Sequence, residues 1–433
     1  MKLNRLMQSL RSRHKIQPCS FQESPATNLT DPLRRKVLKQ GLYCFGTSLL
    51  ATPLLTACGE IVMPEMVSRM FRSRTSNLGT LGPLQDPDEN GVRLPVGFTS
   101  RIVARSNEIP VNGSSYSWHW APDGGAVFAT EGGGWIYVSN SEMSGGAGGV
   151  GALEFGVNGD LRNAYSILEG TSRNCAGGKT PWGTWLSCEE VSDGHVWECD
   201  PKAVINPQKL ISLGTFTHEA VAYDPVNNHL LLTEDQEDGR LYRFRPDGAD
   251  HKGRVDLTKG VLEVAQITDA EENNVIWHEL MDPNAKNEQT RYQVSASTVF
   301  KNGEGVDYLH GNFYISTKGD DRIWKYHVAS NTMTVFYDAK TATNPILTGV
   351  DNVLMVETGE IIVAEDGGDL QLVVILPDGK LLPLLQIVDQ PNSELTGQAF
   401  NQHGNCLYFS SQRGKTGTSA GGLTYEIKGP FFS

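Results

Sequence analysis

The sequence predicts an all-β chain folded as a six-bladed β-propeller, and three observations carry that prediction. Glycine is abundant at 46 residues and proline frequent at 21, which favours many turns over long helices. Segments after residue 115 repeat one pattern: a small or acidic entry, an alternating apolar strand, a Thr/Ser or Glu-Asp step, a glycine, then a second strand rich in aromatic residues. The spacing is regular, with 47 residues from Glu304 to Asp351 and again 47 from Asp351 to Gln398. That period suits a four-stranded blade, and radial repetition leaves only short sheet edges. A β-sandwich with coincidental spacing is the competing architecture, and the repeat favours the propeller.

The blades read off in order. SWHWAPDGGAVFATEGGGWIYVSNSE (117–142) and TPWGTWLSCEEVSDGHVWECD (180–200) each supply one. HEAVAYDPVNNHLLLTEDQEDGRLYRFRPDG (218–248) and EGVDYLHGNFYISTKGDDRIWKY (304–326) supply two more. GVDNVLMVETGEIIVAEDGGDLQLVVILPDG (349–379) and TGQAFNQHGNCLYFSSQRG (396–414) complete the six. Residues 249–300 are expected as an insertion between two blades, loop or helix, with DAEENNVIWHELMDP as its helical candidate.

The first 57 residues read as an address. Arg34 and Arg35 form a twin-arginine pair, with Leu38 and Lys39 at the expected distance. The apolar run from Gly41 to Ala57 is short for a transmembrane helix and ends in small residues. Leu55-Thr56-Ala57-Cys58 looks like a bacterial lipobox, so Cys58 is expected as a lipidated N-terminus that holds the protein to a membrane of the periplasm or cell envelope. Residues 58–90 have little apolar periodicity and read as a tether, which leaves 91–433 for the propeller.

Charge narrows the partners. Residues 1–57 hold nine Lys/Arg and two Asp/Glu, so the remainder of a chain of net charge −13 carries about −20. So acidic a body argues against nucleic acid and anionic-membrane partners and suits cation binding. The seven cysteines show no CxxC pairing, which argues against a disulfide scaffold and an all-cysteine zinc site. Cys188 and Cys199 read as core residues or a disulfide pair, Trp182 and Trp185 as packing between blades, and His218 as structural.

In a propeller, strand starts and loops near the channel converge on one point. Acidic residues recur at such places: Glu142, Glu190, Glu219, Glu234, Asp235, Glu304, Asp351, Glu365 and Asp366. Each taken alone is an ordinary turn carboxylate. Gathered around one channel, they concentrate more negative charge than is tolerable without cations. Hard oxygen ligands suit Ca²⁺, and carboxylates with a thiolate also suit Fe³⁺. The stretch RNCAGGKTPWGTWLSCEE (173–190) is too rich in glycine for an ordinary strand and reads as a loop that holds Cys175. Arg173, Lys179, Lys318 and Arg413 are candidate phosphate-binding cations.

The run NCAGGKTPWGTWLSCEE, with THEA, GEGV, GVDN and the twin-arginine leader, resembles the PhoX-type alkaline phosphatases through most of residues 95–430. The resemblance implies a β-propeller with iron and calcium in its channel and a cysteine bridging two ferric ions, the place that Cys175 occupies. Glu190, Glu219 and Glu304 fall in motifs that supply iron or calcium ligands, and with Cys175 they form the implied catalytic centre. Asn140, Asp235, Asp351 and Asp366 are carried over from local motif context only. The implied activity is release of phosphate from small phosphoesters, monoesters above all. A bound metal can bring the pKa of water from about 15.7 to about 7, which makes an oxygen nucleophile available.

Two departures stand out. The chain is shorter than typical members, and the segment before Glu304, FKNGEGV, has Lys301 as its nearest cation. A phosphate-clamping residue beside that glutamate is therefore missing or displaced. Two other readings remain open: a calcium propeller of the lactonase or diesterase kind, which has no need of Cys175, and a non-enzymatic envelope propeller that binds a partner.

Overall fold

The computed structural model describes residues 74–433, apart from 252 and 269–272. The twin-arginine stretch and Cys58 lie outside the described residues. Six antiparallel sheets of four or five strands follow one another along the chain. They are numbered here as blades by their innermost strands: Pro122–Ala129 (blade 1), Asn174–Lys179 (blade 2), His218–Asp224 (blade 3), Gly303–Leu309 (blade 4), Val350–Met355 (blade 5) and Leu395–Phe400 (blade 6). Each innermost strand neighbours the next, and that of blade 6 returns to blade 1, so the ring closes.

Strand alternation explains the core. A strand buried on both faces points successive side chains towards the two neighbouring blades. The apolar residues accordingly form six clusters, each between adjacent blades. Leu186, Phe216, Leu230 and Tyr242, for example, join blades 2 and 3. Burial of each such side chain stabilises by about 1.5–3 kcal/mol.

The ring is sealed by pairing its ends. Thr99–Arg105 adds to Leu423–Lys428 as the outer strand of blade 6, and Arg101 Nε meets buried Glu426 at 2.7 Å. Val92–Arg93 adds a fifth strand to blade 5.

Two expectations change. Residues 74–90 do not hang free of the body: Thr75 and Ser433 exchange backbone hydrogen bonds, and Leu78 is fully buried among the blade 5 and 6 residues. Residues 249–300 are not an insertion between blades. Gly260–Ile267 and Val275–Glu279 are the outer strands of blade 3, so the described part of DAEENNVIWHELMDP supplies a five-residue strand where a helix was the candidate. The alternation in Val275-Ile276-Trp277-His278-Glu279 fits an edge strand, with Val275 buried and Ile276 exposed.

Candidate metal centre in the propeller channel

All six innermost strands break register near their start. The pairing shifts between Pro122 and Gly125, Asn174 and Gly177, His218 and Val221, Gly303 and Val306, Val350 and Val353, and Thr396 and Ala399. Such a bulge re-aims the side chain that it frees. The residue following the last paired one is, in blade order, Asp123, Cys175, Glu219, Glu304, Asp351 and Gly397. Five blades thus present a metal-ligand type at one structural position. The sixth cannot: Gly397 has φ +67, and a Cβ there meets the Asp123 carbonyl oxygen at 2.7 Å. Glu394, just before that strand, takes its place in the cluster.

A second circle comes from the ends of the second strands. Ser141, Glu189, Glu234, Thr317 and Glu365 pair with the innermost strands. The next residues are Glu142, Glu190, Asp235, Lys318 and Asp366. The acidic doublets divide their work because consecutive side chains leave a strand on opposite sides. The first glutamate turns away from the channel and caps the following turn. Glu189 accepts from the His195 N–H, Glu234 from that of Arg240 and Glu365 from that of Gln371, six residues on in each case. The second carboxylate is left for the channel.

Ligand atoms gather into four overlapping groups, each with its members within 4.8 Å of one another: Cys175–Glu190–Glu219, Glu219–Glu304–Asp351, Asp351–Asp366–Glu394 and Asp123–Glu142–Glu394. Glu219, Asp351 and Glu394 each belong to two groups, so the set is continuous. Both Glu219 oxygens are buried with no hydrogen-bond partner. That is costly for a carboxylate unless a cation completes it.

Electrostatics agree. Burial, then mutual repulsion, pushes Asp123, Glu219 and Glu394 well above the carboxylate range. Glu304 moves the same way by burial although Lys318 opposes it. Glu190 rises to about 9 by burial and the Glu142 charge, and Asp351 to about 7, chiefly by burial. Asp366 alone is held low: burial opposes this, but Lys318, a hydrogen bond from Glu394 and Arg413 outweigh it. Burial and the surrounding acids also raise the Cys175 thiol, whose Sγ donates to Asp123 at 3.7 Å. Asp235 adds its charge to Glu190, Glu304 and Asp351 and accepts from Asn302 at 2.8 Å.

The predicted residues therefore separate. Cys175, Glu142, Glu190, Glu219, Glu304, Asp351 and Asp366 come together, and Asp235 adjoins them. Asn140, Glu234 and Glu365 do not. Asn140 spends its amide on the Cys175 and Ala176 carbonyls and on Trp185 and Ser187. Glu234 is held by Arg291 and Tyr242, and Glu365 by the Thr348 and Gln371 amides.

The expected cations separate too. Lys179 lies at the far end of its strand, bonded to the Val127 carbonyl at 2.7 Å and over the Phe128 ring. Arg173 does reach the site, bridging Glu142 and Glu190 at 2.7 and 2.6 Å. The cation beside Glu304 is Lys318, whose Nζ is 2.8 Å from Oε1; Lys301 instead faces Glu237.

The Cys175 segment is itself a strand. Its glycines are there because neighbouring strands crowd at the axis: a Cβ on Gly178 would lie 1.8 Å from the Val221 carbonyl oxygen. Cys188 and Cys199 are both free. Asp123, Glu394 and Gln412 were not anticipated. Asp123 in Pro-Asp-Gly aligns with Asp351 in Val-Asp-Asn, a signal present in the repeat. Gln412, which donates to Asp123 and Glu142, has no such signal.

Fold and site together define a β-propeller with a carboxylate- and thiol-lined channel able to hold several metal ions. The family model described as alkaline phosphatase PhoX matches residues 110–195 and 191–317, and the chain belongs to the PhoX-type alkaline phosphatase family. Pseudomonas fluorescens PhoX in complex with vanadate, a transition state analogue, superposes with a TM-score of 0.64 at 16% identity, covering 80% of this chain and 97% of that one. A gluconolactonase from Xanthomonas campestris, XC5397, gives 0.47 at 11% identity over 80% and 98%. No curated protein matches the sequence. The likeness to the Pseudomonas fluorescens structure shows the fold alone.

Proposed function

We propose that the protein is a metal-dependent phosphatase that hydrolyses small phosphomonoesters at an iron–calcium centre in the propeller channel. The observation that carries this reading is the ring of five bulge residues, Asp123, Cys175, Glu219, Glu304 and Asp351, with its unpartnered buried oxygens on Glu219. Thiol and carboxylates together suit iron at Cys175, Glu190 and Glu219, and the all-oxygen groups suit calcium. When bound, the ions polarise phosphoryl oxygens and lower the pKa of water.

The chain's own groups do the rest. Lys318, Arg173 and Arg413 rim the carboxylates, and each has its side chain about one third exposed. An incoming phosphoryl dianion meets their charge at the mouth and is oriented by it. The buried walls exclude water beneath it, which strengthens each electrostatic contact. The membership in a phosphatase family supports the reaction class. Twin-arginine export and lipid attachment at Cys58 complete the proposal: a folded enzyme that scavenges phosphate at the cell envelope.

The test is hydrolysis of p-nitrophenyl phosphate by the full chain before and after chelation. Activity that is lost with the metals and returns with iron and calcium together supports the reading. Hydrolysis that survives complete removal of metal overturns it.

A further inference from the structure

The second circle of the channel holds one basic residue. Blades 1, 2, 3 and 5 place Glu142, Glu190, Asp235 and Asp366 after the second strand, and blade 4 places Lys318 there. A cation stands at a position where four other blades add negative charge.

Its surroundings are unequal. Lys318 Nζ lies 2.8 Å from Glu304 Oε1 and 3.2 Å from Asp366 Oδ2, so it joins two of the four ligand groups. Glu304 is fixed in the wall, with its side chain 2% exposed, whereas that of Lys318 is 31% exposed. The base of the lysine is held: its N–H donates to Asn302, and the turn Lys318–Asp320 is pinned by Thr317 to Asp320. Above that base lies a flexible four-carbon stem.

A permanent structural ion pair would bury both partners. A group that served only to clamp substrate would leave the carboxylate ligands alone. Lys318 does neither. Its ammonium stands among carboxylates that a metal ion also needs, and once a divalent or trivalent ion binds them the two cations repel.

We propose that Lys318 is a place-holding counter-ion of the channel. It neutralises Glu304 and Asp366 while the site is free of metal, so that the acidic channel can fold before loading, and it yields those carboxylates to the incoming ion and withdraws to the mouth. This rests on the metal reading above and adds a step to it: loading is an exchange of one cation for another. Arg173 on Glu142 and Glu190, and Arg413 on Glu394, stand in the same relation to the other groups.

The experiment compares chelator-stripped full-length wild type with Lys318→Met and Lys301→Met, using calorimetric Ca²⁺ titration and thermal melts with and without metal. Lys301 belongs to the adjoining segment but faces Glu237 rather than a channel ligand, so it controls for loss of a nearby positive charge. Place-holding predicts that stripped Lys318→Met melts several degrees lower, binds Ca²⁺ about tenfold more tightly and, once loaded, melts with the wild type. Lys301→Met should stay within about twofold of the wild-type affinity. Unchanged or weaker Ca²⁺ binding by Lys318→Met overturns the proposal. So does equal destabilisation of its stripped and loaded forms, which marks a permanent ion pair. If the wild type binds Ca²⁺ and Lys318→Met does not differ, only the place-holding role falls. If the wild type takes up no metal at all, the metal reading falls and this one with it.

Discussion

The side-chain amide of Asn140 donates to the backbone carbonyls of Cys175 and Ala176 at 2.9 and 2.8 Å, tying blade 1 to the bulge that carries the thiol. The device recurs: Thr233 Oγ1 donates to the Glu304 carbonyl and Ser316 Oγ to that of Asp351, each from the preceding blade. Ligand side chains are thereby aimed by hydrogen bonds to their own backbones.

Asn140→Leu leaves two carbonyls, the Trp185 N–H and the Ser187 hydroxyl without their partner. A loss of about 3 kcal/mol or more is expected from so many buried groups left unpaired. Thr233→Val, close in shape, should cost about 1 kcal/mol. Denaturant melts of the metal-stripped proteins check both values.

The doublets predict opposite phenotypes for adjacent residues. Glu365→Gln removes a charge from two backbone N–H contacts and should cost about 1–3 kcal/mol while metal content is kept. Asp366→Asn touches the channel and should lower metal content with little loss of stability. The pair Glu189→Gln and Glu190→Gln should repeat the contrast, read by melts beside metal analysis.

Metal-free stability should fall as pH rises. Glu190 moves from 4.5 to about 9 and Asp351 from 3.8 to about 7 on folding, both first through burial. Between those values the folded chain binds more protons than the unfolded one, so the slope of stability against pH is negative. Melting temperature of the stripped protein should therefore drop from pH 5 to pH 9, and most of the drop should vanish when metals occupy the site.

Gly397→Ala tests the sixth position of the ring. With φ +67 and a Cβ contact of 2.7 Å to a backbone oxygen, it should cost at least about 1–2 kcal/mol. Gly82→Ala, with open space around the added Cβ, is the control and should be near neutral. Urea midpoints for the two variants decide the matter.

Much of this was legible before any coordinates. The 47-residue spacing gave the blades, and the acidic doublets gave one channel carboxylate each. What failed did so for identifiable reasons. Alternation along a strand separates Glu234 from Asp235 and Glu365 from Asp366, and residue type alone cannot tell which of a pair faces the channel. The glycines around Cys175 reflect strands crowded at the axis rather than a loop. Val275–Glu279 is a short edge strand whose acidic flanks imitate a helix. The spacing aligned Gln398 with Asp351, one residue past the true equivalent Gly397, because an empty ring position leaves no side chain to recognise. Glu394 was hidden for the same reason.

Cys175 is the single thiol in the four ligand groups, so the central claim can be tested at one atom. The measurement is iron and calcium content, with a visible absorption spectrum, of wild type and Cys175→Ala protein matured through twin-arginine export. The account predicts a coloured wild type holding both metals, and a colourless variant that retains calcium but has lost iron and p-nitrophenyl phosphate hydrolysis. A Cys175→Ala protein with full iron content and full activity would contradict it.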